Sequence, residues 1–179
     1  MKRMILALLL PVCAAAPPAP QDLYRDPGMK TVVQVAIVTK DIEAVTRRWA
    51  ELLGTPPPKI SLTRPGREVR LVYRGQASDG RAKLAFLRMG QVVLEFIEPV
   101  GGGTSWREHL DKHGEGVHHL GFQVADLEKS LQTFQRLGLA EQHRGRYDQD
   151  NGTYVYLDSQ AALGVTVELL HSDPPARQP

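Results

Sequence analysis

The sequence predicts an α+β protein made of two βαβββ modules in tandem that close into a cup-shaped mixed sheet. Three observations carry this. Residues 116–128, Gly-Val-His-His-Leu-Gly-Phe-Gln-Val-Ala-Asp-Leu-Glu, read as an apolar strand running straight into a helix capped by Asp126. Gln34 to Glu43 repeats that grammar: Gln34 matches His119, Ala36 matches Gly121, Asp41 matches Asp126 and Glu43 matches Glu128. An internal repeat of this kind decides the architecture before any single element does. The last strand of each half also carries one glutamate inside an apolar run, Glu95 in Val92–Ile97 and Glu168 in Val165–Leu170.

The chain opens on Lys2 and Arg3, a short apolar run from Met4 to Leu10, and Ala14-Ala15-Ala16. This is the pattern of a signal peptide over residues 1–16, and the run is too short to span a bilayer. The expectation is an exported chain, periplasmic or secreted, cleaved after Ala16, with lipid anchoring at Cys13 as the alternative. Cys13 is the only cysteine, so no intrachain disulfide can form. Residues 17–29, beginning Pro17-Pro18-Ala19-Pro20, read as a linker.

The first module spans 30–100. Thr31 to Val38 reads as a buried strand. Asp41 caps a helix to Gly54, with Ile42, Val45, Trp49, Leu52 and Leu53 as its apolar face, and Thr55-Pro56-Pro57-Pro58 stops it. Ile60 to Gly66 reads as loop. Strands are expected at Glu68 to Arg74, Ala82 to Met89 and Gln91 to Glu98, with turns at Asp79-Gly80 and Met89-Gly90.

Residues 101–115 cross over, with a short helix from Thr104 to Lys112 capped by Thr104 or Ser105. The second module spans 116–171: the opening strand, a helix from Asp126 to Leu137, and strands near Ala140 to Tyr147, Thr153 to Asp158 and Val165 to His171. Residues 172–179 are polar and proline-rich and read as a disordered tail. Lys+Arg number 22 against 20 Asp+Glu, a net charge of +2. No basic run with interleaved aromatics occurs, so nucleic acid is not an expected partner.

Strand alternation puts His118 on the face of Leu120, Phe122 and Val124, packed under a helix. His119 falls on the opposite face with Gly121 and Gln123, the face left for chemistry. A carboxylate inside an apolar strand is costly to bury uncompensated, and an edge strand with its Glu facing water is the plain alternative. Matching places in two repeats favour a shared role. If the halves pair about a pseudo-twofold axis, Gln34, Glu95, His119 and Glu168 converge inside one cup. Three oxygen donors and one imidazole suit a six-coordinate divalent metal with positions left open for two neighbouring substrate oxygens. No thiolate takes part, so this is not a structural cysteine-type zinc site. Tyr73, Phe86, Tyr154 and Tyr156 are candidates to line the cup, with core or cross-strand packing as their ordinary role. His109, His113, His143 and His171 are expected on the solvated surface.

On these residues the chain resembles the vicinal oxygen chelate superfamily, which includes glyoxalase I, methylmalonyl-CoA epimerase, extradiol dioxygenases and bleomycin-resistance proteins. The resemblance runs from Lys30 to Leu170. Its most specific piece, Gly116 to Val124, is similar to the strand that carries the second-half histidine ligand in epimerase-like members. Glu95-Phe96-Ile97-Glu98-Pro99 and Val167-Glu168-Leu169-Leu170 resemble the two glutamate-bearing strands. The resemblance implies a glyoxalase-like fold and one divalent metal ion (Zn, Ni, Co, Mn or Fe) held by Gln34, Glu95, His119 and Glu168. It implies proton abstraction next to a chelated carbonyl of a small oxygenated substrate, with Glu168 or Glu95 as base and Glu168 favoured. The implied activity is that of a metal-dependent isomerase, epimerase or lyase. A non-catalytic bleomycin-resistance-like binding protein and a glyoxalase I-type lactoylglutathione lyase are the alternatives. Val38, Pro99 and Glu115 stand where glutathione-using glyoxalases carry arginine, asparagine and arginine, so the glutathione clamps are missing. Gln34 in place of a first histidine counts against an extradiol iron site. Export counts against a coenzyme A thioester. A homodimer is left open.

Overall fold

Asp41 and Asp126, the matched residues of the repeat, both cap helices in the computed structural model, which describes residues 26–175. The signal peptide, Cys13, residues 17–25 and residues 176–179 lie outside the described residues. The elements are β1 (Val32–Val38), α1 (Ile42–Leu53), β2 (Ser61–Leu62), β3 (Val72–Tyr73), β4 (Gln76–Ala77), β5 (Arg81–Met89) and β6 (Val92–Val100). They continue with α2 (Ser105–His113), β7 (Gly116–Gln123), α3 (Leu127–Arg136), β8 (Glu141–Arg146), β9 (Gly152–Leu157), α4 (Gln160–Leu163) and β10 (Thr166–Ser172). Among the described residues no helix is long and apolar enough to cross a membrane.

All the strands lie in one curled sheet, a half-barrel, in the order β2-β5-β6-β1-β7-β10-β9-β8-β3-β4. Each half repeats one pairing scheme. β1 is parallel to β6, and β5 and β2 follow antiparallel outward. β7 is parallel to β10, and β9 and β8 follow antiparallel outward. β1 and β7 pair antiparallel at the centre, so a pseudo-twofold axis runs between them. The α+β cup expected from the repeat is the observed fold.

Alternation along each strand sorts side chains between a convex and a concave face. On the convex face α1 sets Ile42, Val45 and Trp49 against Leu94 and Phe96, and α3 sets Leu127 and Phe134 against Val155, Val167 and Leu169. Burying each large side chain there contributes about 1.5–3 kcal/mol. On the concave face Ala36, Val38, Ala82, Ile97 and Tyr156 meet Trp106 and Leu110 of α2, which closes one end of the cup. The α1 apolar face stops at Trp49: Leu52 is 75% and Leu53 37% exposed, contrary to the expected packing.

The stretch between α1 and β5 departs furthest from expectation. Only Val72 and Tyr73 of the expected strand from Glu68 to Arg74 are extended, and Ser61-Leu62, expected as loop, supplies the outer strand of the first half. Pro65 to Arg70 turns back on itself, with Leu71 N donating to Gly66 O at 2.8 Å. Gly66 is needed there, because a Cβ would stand 2.2 Å from Ser78 O. β3 and β4 then form a hairpin on β8 of the other half, with Arg146 N donating to Val69 O at 2.8 Å. Residues 61–78 are thus a strap joining the two halves across the cup. The tail also starts later than expected. Ser172 belongs to β10, and Asp173 is held by Arg146 and by Asn151 O, so neither is disordered.

Candidate functional site

The inner face of the four central strands gathers the polar residues of the repeat. Gln34 of β1 lies opposite Gly121 of β7, and Glu168 of β10 lies opposite the same glycine. Ala36 lies opposite both His119 and Glu95. The four side chains are almost wholly withdrawn from solvent: Gln34 9%, Glu95 6%, His119 0% and Glu168 3% exposed. His119 Nε2 is 3.0 Å from Glu168 Oε2 and 3.4 Å from Glu95 Oε2, and Gln34 Nε2 donates to Glu95 Oε2 at 2.6 Å. The structure brings all four sequence-derived candidates together.

Charge is concentrated here against the cost of burial. Desolvation would lower the His119 pKa, but the Glu168 and Glu95 carboxylates outweigh it and raise the group to about 9. Burial raises the Glu95 pKa, against the pull of His119. Without an added cation, His119 is the imidazolium that balances the carboxylates.

The donor set fits a divalent metal by chemistry, and two of its separations have the spacing of ligands. Two donors 90–109° apart about an ion with bonds of about 2.1 Å stand roughly 3.0–3.4 Å from each other, which matches the two separations from His119 Nε2. His119 Nε2 and Glu168 Oε2 are buried and face each other as an ion pair that lacks good hydrogen-bond geometry. Gly121 forms the floor beneath them: a Cβ there would meet Gln34 Cβ at 2.9 Å, Glu168 Oε2 at 3.0 Å and Gln34 Oε1 at 3.2 Å. As the side chains stand, no group of three or more His, Cys, Asp or Glu among the described residues is disposed to hold an ion. The Gln34 amide occupies Glu95 Oε2, so that carboxylate must turn before three donors share a centre.

His118 corrects the sequence reading. A β-bulge falls between the pairs Ala36–His119 and Ile37–Val117, leaving His118 as the extra residue. Alternation breaks at that point, and His118 Nδ1 stands 2.9 Å from His119 Nδ1 rather than on the opposite face. Its ring meets His109 of α2 edge-on, with centroids 5.1 Å apart. Burial, with nearby histidines, holds the His118 pKa well below its ordinary value, so the ring stays neutral.

The walls were only partly legible. Phe86, Tyr154 and Tyr156 line the cavity as envisaged, whereas Tyr73 points its hydroxyl at Glu108 on α2. Trp106, Arg146 and Tyr147 also line it, and no sequence signal singled them out. His143 and His109 are buried, not solvated: His143 is 0% exposed and shares a hydrogen bond with Ser105 Oγ at 2.9 Å, and His109 is 9% exposed. His113 is exposed and His171 half-buried. The three positions that depart from the glutathione clamps are occupied structurally. Val38 and Pro99 are buried, and Glu115 accepts from Thr39 Oγ1 at 2.7 Å and Lys40 N at 2.8 Å.

Comparison with known proteins agrees with this architecture. The family model described as Glyoxalase/Bleomycin resistance protein/Dioxygenase superfamily matches residues 33–157. An uncharacterized protein of Bacillus subtilis (strain 168), YqjC, is 29% identical over 104 residues, which covers 55% of this chain and 71% of YqjC. The methylmalonyl-CoA epimerase from Mycobacterium tuberculosis superposes with a TM-score of 0.57 at 17% identity, over 82% of this chain and 91% of that one. A Streptomyces coelicolor methylmalonyl-CoA epimerase variant in complex with 2-nitronate-propionyl-CoA superposes at 0.58 and 20% identity, over 82% and 99%. At these identities the structures share the fold.

Proposed function

The chain belongs to the glyoxalase/bleomycin resistance protein/dioxygenase superfamily, and from that membership we propose that it is a metal-dependent isomerase, epimerase or lyase. It removes a proton next to a carbonyl of a small substrate carrying two neighbouring oxygens. Gln34, Glu95, His119 and Glu168 would hold one divalent ion. When bound, such an ion polarises a chelated oxygen and stabilises the charge that develops as the adjacent proton leaves. One observation carries the reading: an imidazole and two carboxylates from matched places of the repeat are buried together in a family cup, with Glu168 Oε2 and Glu95 Oε2 at 3.0 and 3.4 Å from His119 Nε2.

Glu168 is the base. Glu95 Oε2 is engaged by the Gln34 amide, whereas Glu168 Oε2 faces His119 Nε2, which would turn from donor to neutral ligand once an ion is held, so Glu168 is the carboxylate left to take a proton. The Gln34 amide holds the Glu95 carboxylate until an ion would take its place, and α2 with Val69 and Leu71 of the strap limits water on the concave side. The basic start, short apolar run and alanines of residues 1–16 support export of the mature chain.

A metal-free binding protein is the second reading. The His119–Glu168 pair favours it, since an imidazolium can balance buried carboxylates without an ion. Incubation of metal-loaded protein in deuterium oxide with 2-oxo acids, 2-hydroxy acids and 2-methyl thioesters separates the two. Metal-dependent deuterium incorporation at the acidic carbon of one panel member is expected. Its absence on every member puts the binding protein ahead.

A further inference from the structure

We propose that the cup is built for a compact substrate that carries an uncharged apolar or aromatic tail beside its two chelating oxygens. This rests on the metal-chelate reading above. The argument comes from the walls of the cavity rather than from its polar floor.

The cavity holds about 330 Å³. This is near the small end of ligand pockets, which run from about 300 to 1,000 Å³. Its sides are Leu84 and Phe86 of β5, Trp106 of α2, Tyr154 and Tyr156 of β9 and Leu170 of β10. The strap adds Val69 and Leu71 on the remaining side and ties itself to the far half through Arg64 N, which donates to Asp148 Oδ1 at 3.2 Å. A long, highly charged tail would have to pass the strap.

The charges in the cavity leave nothing to hold an anion. Glu95, Glu168 and Asp148 line it. A divalent ion would cancel the first two carboxylates and leave Asp148 over. Arg146 is the one lysine or arginine among the lining residues, and its guanidinium is already committed. Nε donates to Asp150 Oδ1 at 2.7 Å, Nη1 to Thr153 Oγ1 at 3.0 Å and Asp173 Oδ1 at 3.1 Å, and Nη2 to Asp150 O at 2.5 Å and to Asp173. Two aspartates therefore cancel its charge. Arg88 follows Leu84 and Phe86 on the same face of β5, but it is exposed and stands outside the lining. A carboxylate or phosphate on the substrate's tail would meet Asp148 and aromatic edges and no uncommitted side-chain cation.

The test is titration calorimetry of metal-loaded protein with hydroxamates, which chelate through two neighbouring oxygens. Acetohydroxamic acid reports chelation alone. Benzohydroxamic acid adds the apolar tail, and its 4-carboxamide and 4-carboxylate derivatives differ in charge at equal size. Benzohydroxamic acid is expected to bind at least tenfold more tightly than acetohydroxamic acid, and the carboxamide at least tenfold more tightly than the carboxylate. Arg88→Ala is expected to leave the benzohydroxamic acid affinity within twofold. A carboxylate that binds as well as the carboxamide, or a tail that adds nothing, overturns the substrate class and leaves the chelate reading standing. Failure of acetohydroxamic acid and of every other hydroxamate to bind overturns both.

Discussion

His118 and His119, adjacent in sequence, place their Nδ1 atoms 2.9 Å apart across a β-bulge. One must donate and the other accept. His119 is protonated on both nitrogens beside the carboxylates and His118 is kept neutral by burial, so His119 Nδ1–H donates to His118 and its Nε2 faces the carboxylates. The ring that would bind metal is therefore oriented by its own neighbour. His118→Ala removes that acceptor. Metal affinity, measured by competition with a chelator, is expected to fall about ten- to a hundredfold, the usual cost of losing the partner of a ligating histidine. An unchanged affinity would show that the contact does not orient the ligand.

Gly121 keeps the floor of the site open. The methyl of Gly121→Ala would stand about 3 Å from Gln34 Cβ and Glu168 Oε2, and neither strand can move away without breaking its ladder. Loss of bound metal is expected, together with destabilisation of about 1–3 kcal/mol in urea unfolding. A variant that keeps both wild-type stability and metal content would place the site elsewhere in the cup.

The repeat made most of the fold legible. Gln34 and His119 could be aligned because strand, cap and helix recur at the same spacing, and symmetry then placed Glu95 and Glu168 beside them. What stayed hidden was non-local. Nothing around Val72 announces that β3 will pair with the far half, since that choice depends on an edge that exists only after β8 forms. The bulge at His118 was equally invisible, because alternation assumes an unbroken ladder. His143 misled for a related reason: a histidine near a strand end looks solvated until Trp106 and Tyr156 are folded over it.

Glu168→Gln keeps the shape and one oxygen donor but cannot accept the proton. Deuterium exchange on whichever substrate the wild type turns over is expected to drop about a hundred- to ten-thousandfold. Glu95→Gln should cost less, because Glu95 Oε2 is already occupied by Gln34. Full exchange by Glu168→Gln with none by Glu95→Gln reverses the two roles.

His143 sets a pH dependence. Burial, with the His119 charge nearby, lowers its pKa from 6.5 to about 3. The folded value lies below the unfolded one, so between these limits only the unfolded chain takes up the proton. The contribution to stability is whole above pH 6.5 and is lost as pH falls toward 3, at about 1.4 kcal/mol per pH unit. His143→Phe should flatten the unfolding free energy against pH by that slope relative to wild type. Parallel profiles for the two proteins would mean that His143 titrates in the fold as it does in the unfolded chain.

The central claim is that the four matched residues hold one divalent ion. Elemental analysis of protein purified without chelator, set against His119→Ala, tests it most directly. One equivalent of a divalent transition metal per chain in the wild type and none in His119→Ala is the expected result. Equal metal content in the two, or a wild type that takes up no divalent metal when it is offered, would contradict it.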